Sequence, residues 1–345
     1  MKTRRTIWTP DRELDDAGFM NGCLPQDDFD LETVQLLESS AVPFSTLYTA
    51  GDMPVLKWDD AFEEFLNHRG DMIEDMMADG SRCVWPWEVL QNMPSDQKGG
   101  DTLYYSQGGR PSCMGHGDDF AYRSSVLSTI GLGAPLIYEP TNAYVTWVLS
   151  KGGSQSGGQS PGPMAKAANE QGHFLMREVG SNNTSMPSNY KQYFESAKRH
   201  QSGIIFIPGK GTELAERIRR VNRAALGVAI GNSDAVSGST VDSNGVEIAV
   251  IGGRWAHATS FNAWMKYKGQ EYVFWTNSHG KKYKRSTFGE PFDGAWMRTD
   301  KELVRFVGSA TIYGQPYVVI PEAVWTKKTN IAINFNVPFP NGWRA

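Results

Sequence analysis

Gln107-Gly108-Gly109-Arg110-Pro111-Ser112-Cys113-Met114-Gly115-His116 is the stretch on which the reading of this chain turns. It sets one cysteine directly before a segment in which Phe120, Ser124 and Leu127 recur at helical spacing. Cys113 then falls in a first helical turn, where unpaired backbone N–H groups and the helix dipole favour a thiolate over a thiol. A lone cysteine is equally a small apolar residue suited to a core, so this stretch alone does not separate a nucleophile from packing.

A second region changes the balance. Trp255-Ala256-His257-Ala258-Thr259 lies downstream, followed by Glu271-Tyr272-Val273-Phe274-Trp275-Thr276-Asn277-Ser278-His279-Gly280. With Gln107-Gly108 placed six residues before Cys113, Ser112-Cys113, His257-Ala258 and Asn277-Ser278-x-Gly280, the chain resembles the papain-like cysteine peptidases in order and approximate spacing. The resemblance covers roughly residues 100–325 and implies an α+β fold, a helical half and a β half with a cleft between them. It implies Cys113 as nucleophile, His257 as its base and acid, Asn277 as the group orienting that imidazole, and Gln107 as an oxyanion donor beside the N–H of Cys113. Ser112 is expected next to the substrate. Gly157-Gly158 resembles the glycine pair along which the family lays extended substrate, with Gly152-Gly153 as the alternative register.

Two positions depart from the family pattern. His279 stands where a tryptophan shields the His–Asn contact, so a wetter contact or an added titration is expected; Met114 replaces the aromatic residue after the cysteine. His116, three residues past Cys113, is read as a surface or first-turn residue that could compete as a base.

The chain has 345 residues, 40% of them hydrophobic and 12% aromatic, which is ample for a packed core. Its net charge of −4 hides an asymmetry: residues 1–100 carry −12 and the remainder +8. An acidic extension against a mildly basic body is implied, with mutual attraction. The expected organisation is an extension over 1–95 that docks or acts like a pro-segment, a peptidase domain over 96–330, and a tail over 331–345. Within the extension, helices are expected near residues 30–38 and over Trp58–Met77, the latter broken near Gly70. Val84-Trp85-Pro86-Trp87 reads as extended. Strands are expected at 203–207, 225–230, 247–251, 272–275, 311–313, 317–320 and 331–334, with a helix over 213–226.

The start, Met1-Lys2-Thr3-Arg4-Arg5, has no apolar run behind it and does not read as a secretory signal; no stretch suits a membrane span. The three cysteines, Cys23, Cys83 and Cys113, form no metal-ligand pattern, and reduced thiols are expected. In the resemblance, Arg110 occupies the place of a bridged cysteine in secreted members, consistent with a reducing compartment, cytoplasmic or within a virus or phage particle. Lys281-Lys282-Tyr283-Lys284-Arg285 is a loop rather than a nucleic-acid surface. The expected partner is an extended peptide or protein substrate, with a second protein as candidate partner of the extension and with no cofactor, metal, nucleic acid or membrane. An inactive assembly protein on the same fold, or a group-transfer enzyme like the transglutaminases and amidases, are the alternatives.

Overall fold

A computed structural model describes residues 23, 28–44, 54–78, 84–95, 98, 103–134, 136–180, 186–280, 287–291, 293–308, 314–321 and 324. The expected segments 311–313, 331–334 and the basic loop 281–285 lie outside the described residues, as do Cys83 and the tail.

The chain is α+β, and its centre is the helix Cys113–Gly131. Every residue from Cys113 to Thr129 is buried, so the segment is surrounded on all sides rather than amphipathic along Phe120, Ser124 and Leu127. Glycine within a helix costs roughly 1 kcal/mol relative to alanine, so its presence needs a packing reason. A Cβ at Gly115 would sit 2.6 Å from the Cβ of Trp147, and one at Gly117 would sit 2.7 Å from the carbonyl oxygen of Thr259. These two positions let the helix lie directly on its neighbours.

In chain order the helices are α1 (Asp28–Ser40), α2 (Asp60–Ala78), α3 (Pro86–Asn92), α4 (Cys113–Gly131), α5 (Ala143–Ser150), α6 (Pro161–Glu170), α7 (Met176–Val179), α8 (Phe194–Lys198), α9 (Gly211–Arg223) and α10 (Glu302–Val307). The strands are β1 (Ser202–Phe206), β2 (Gly227–Val241), β3 (Glu247–Tyr267), β4 (Gln270–Thr276), β5 (Gly294–Arg298) and β6 (Tyr317–Pro321), in the sheet order β1-β6-β2-β3-β4-β5. Neighbours pair antiparallel, and β3 meets β5 again at Ile248 and Trp296, which curls the sheet back on itself. One face packs on α4 through Phe120, Phe274 and Trp296; the other packs on α9, α2 and α10 through Ile218, Leu66 and Phe306.

Three local expectations change. Gly70 does not break α2, because it lies where the helix crosses the side chain of Arg223, 3.1 Å from the site a Cβ would take. Pro86 starts a helix instead of prolonging an extended piece: at the first helical position its missing N–H costs nothing. Strand β5, with its single glycine and mixed Ala-Trp-Met-Arg sequence, was not anticipated.

The charge asymmetry has a structural counterpart. Helix α2 buries Phe62, Leu66, Ile73 and Met76, and its acidic side meets Arg223 through Asp71 (2.5 Å) and Glu74 (2.7 Å), Lys266 through Glu74 (3.0 Å) and Arg220 through Glu63 (3.4 Å). Such exposed pairs contribute about 0–1 kcal/mol each, so the apolar face supplies most of the attachment and the charges set its register.

Beneath α4 lies a buried ionic lock. Arg123 pairs with Asp119 at 2.9 Å, donates to the carbonyls of Leu103 and Thr141, and covers the ring of Tyr105, whose hydroxyl donates to Asp119 at 2.8 Å. Burial pushes the Asp119 carboxyl up while Arg123 pulls it down; Asp118, bonded by the Tyr317 hydroxyl, is pushed well up by burial. Nearby, burial holds His173 down at about 3, so it is a neutral member of the core. Arg123→Met should destabilise the fold by about 3–5 kcal/mol in denaturant unfolding, because Asp119 is left as an unpaired buried carboxylate. A loss below about 1 kcal/mol would contradict the lock.

Candidate active site

The candidate residues come from four places in the chain. Cys113 opens α4; His257 lies midway along β3, opposite Asn232 of β2; Asn277 follows the last residue of β4; Gln107 sits in the loop before α4. The β3–β4 ladder, with Ser260 opposite Thr276, carries Asn277 alongside His257. The close seating of Gly117 against Thr259 brings the start of α4 to the same point of β3.

There the backbone N–H of Ala258, next to His257, donates to the Cys113 sulfur at 3.3 Å. Together with the amide groups of the first helical turn, this donor stabilises negative charge on sulfur. His257 Nε2 lies 2.7 Å from Asn277 Oδ1. The same oxygen accepts from the backbone N–H of Ser278 at 2.8 Å, which fixes the orientation of the amide. An oxygen can only accept, so Nε2 carries a proton in either charge state, and when the ring is neutral Nδ1 holds the lone pair. The tautomer is therefore the one in which Nδ1 can take a proton.

Gln107 is locked to the asparagine turn. Its N–H donates to the carbonyl of Ser278 at 2.7 Å, its side-chain oxygen accepts from the Ser278 hydroxyl, and its amide nitrogen donates to the Arg110 carbonyl at 2.7 Å. Ser278 was not singled out in the sequence, although it lies within Asn277-Ser278-x-Gly280; its role in holding Gln107 depends on a partner 171 residues away.

Ser112 is buried at the helix entry, and its carbonyl accepts from the N–H and from Nδ1 of His116. His116 is fully buried against Tyr105 and Phe120, so the expectation of a surface residue is corrected; the apolar Cys113–Gly131 surroundings draw it inward. Met114 is also buried.

His279 stacks on His257 with ring centroids 4.0 Å apart. Trp255 presents its ring edge-on to both, at 4.6 Å from His257 and 5.8 Å from His279. His257, Asn277 and His279 are 0, 1 and 3% exposed, so the contact is dry and the expected wetting does not occur. Trp255, two residues before the histidine on the same strand, supplies aromatic cover.

The glycine pair lies in the loop after α5. Gly157 has a left-handed backbone (φ 71°), Gly158 is buried, and Gln159 forms an isolated parallel bridge with Cys23. Gly152 and Gly153 form the exposed turn ending α5. Cys23 also donates its N–H to the carbonyl of Ala256 at 3.2 Å. One residue of the N-terminal region thus spans from the helical half to the strand that carries His257. Cys23 and Cys113 both have no exposed surface. Among the described residues no helix is long and apolar enough to cross a membrane.

No protein-family model matches the chain, and no curated protein matches it in sequence. Among solved structures it is similar to xylellain, a cysteine protease from Xylella fastidiosa, at 13% identity over 68% of this chain and 88% of that one, with a TM-score of 0.42. It is also similar to digestive procathepsin L 3 from Tenebrio molitor larval midgut, at 13% identity over 85% and 89% with a TM-score of 0.43. A third is procathepsin B S9 from Trypanosoma congolense, at 12% identity over 87% and 86% with a TM-score of 0.42.

Proposed function

We propose that the chain is a thiol-dependent hydrolase, a cysteine peptidase, whose site is closed by its own N-terminal region. The observation that carries this reading is the bond from His257 Nε2 to Asn277 Oδ1, with the Cys113 sulfur held at the adjacent residue, Ala258. Neutral His257 has its lone pair on Nδ1, the atom that would accept the Cys113 proton and form a thiolate–imidazolium pair. The thiolate would add to a peptide carbonyl, the Cys113 N–H and Gln107 amide would donate to the oxyanion, and Nδ1 would return its proton to the departing amine. Water, deprotonated by His257, would then release the acyl group from sulfur.

The bond from the Cys23 N–H to the Ala256 carbonyl and the strand-type bridge of Cys23 beside Gln159 occupy backbone positions that an extended peptide would need. Activity therefore requires this segment to leave. The same closure favours the second reading, an inactive assembly protein that keeps the fold, in which the extension never leaves.

Two measurements separate the readings. Cys23→Pro removes the N–H donated to Ala256 and should expose the sulfur. In that variant, iodoacetamide should label Cys113 well below the pH at which an ordinary thiol, with a pKa of about 8.5, reacts; adding His257→Ala should abolish the advantage. Labelling that resembles an ordinary thiol in both variants would overturn the enzyme reading. Gln107→Ala should lower turnover of a peptide amide ~10²–10³-fold while leaving alkylation unchanged, because alkylation passes through no oxyanion. Equal effects on both would assign Gln107 a purely structural part.

A further inference from the structure

The stacked pair His257–His279 has a consequence beyond shielding. Both rings are buried, their centroids are 4.0 Å apart, and the planes are tilted by 34°, with Trp255 edge-on to each. We propose that His279 is a positioning residue that gates the site by pH: the two imidazoles hold at most one extra proton between them, so His257 becomes an imidazolium only while His279 is neutral. This inference rests on the reading of His257 as the proton carrier.

A neutral imidazole offers its face to a cation, as other rings do. Two imidazolium rings at this separation repel, and weak screening in a dry site makes the repulsion strong. The pair therefore titrates as a unit, with two separated steps. The reaction requires the proton leaving Cys113 to reside on Nδ1 of His257. When His279 already holds a proton, that transfer places a second positive charge on the stack.

The surrounding elements carry other ionisable groups. Helix α4 contributes Cys113 and His116, the latter facing Tyr105 and Phe120. Strand β3 contributes Arg254, exposed and opposite Asp234 of β2. Asp293, before β5, is bonded through its carbonyl to the N–H of Asn277, and Arg110 lies in the Gln107 loop. A Cys113 thiolate stabilises the first proton on the stack; the repulsion opposes the second.

The test is a histidine-selective ¹⁵N NMR titration of the full chain between about pH 5 and 8.5, the range in which imidazoles titrate, in wild type, His279→Phe and His257→Phe. Removing either ring should raise the midpoint of the other by about one pH unit or more, a roughly tenfold gain in proton affinity, because coupling is reciprocal. His279→Trp repeats the measurement with a larger uncharged ring should the phenylalanine variant not fold. Midpoints unchanged in the variants, or rings that stay neutral throughout, would overturn the proposal. In the Cys23→Pro background, His279→Phe should speed Cys113 labelling about tenfold near pH 5.5 and leave it unchanged near pH 8; equal change at both pH values would indicate packing alone. If Cys113 proves an ordinary thiol, the function fails while the NMR titration still decides the coupling.

Discussion

The close approach of helix α4 to strand β3 is the constraint on which the rest of the site depends. Gly117 permits it, since any Cβ there would strike the Thr259 carbonyl. It places the first-turn sulfur of Cys113 against the N–H of Ala258, one residue from His257. The sheet then does the remaining positioning: the β3–β4 ladder brings Asn277 to Nε2, and the turn after Asn277 ties Gln107 through Ser278. Four segments far apart in the chain converge because one helix is buried on every side. The Asp119–Arg123 lock fixes that helix to the loops that precede and follow it.

The N-terminal region is joined to this body by two different devices. Helix α2 adds an apolar face to the sheet's outer cluster, and its acids meet Arg220, Arg223 and Lys266. Cys23 makes backbone contacts of strand type, one to each side of the site, and its buried side chain joins the inner core cluster. The first attachment is broad and the second narrow. A local release at Cys23 is therefore compatible with α2 remaining docked, because opening free energies follow the apolar contacts each unit buries.

Much of the arrangement was legible in the residues. Cys113, His257 and Asn277 stand in local motifs whose chemistry depends on residue type and order, and β-rich stretches such as Tyr272–Trp275 announce themselves by composition. Other features were not legible because they arise from distant partners. The stiffness of α2 at Gly70 comes from Arg223, the aromatic cover of the His257–Asn277 contact comes from Trp255, and the burial of His116 comes from Tyr105 and Phe120. Cys23 pairs beside Ala256 and Gln159 through its backbone, a contact that any residue except proline can make, so no side-chain pattern marks that pairing.

The central claim is that the Cys113 sulfur and His257 exist as a charged pair near neutral pH. Ultraviolet thiolate absorbance across pH, taken as the difference between the wild-type chain and Cys113→Ala, measures it without requiring access to the sulfur. The account predicts thiolate well below the ordinary thiol range near 8.5, with the low-pH portion lost when His257 is replaced by alanine. A single transition near 8.5 that ignores the histidine would contradict it.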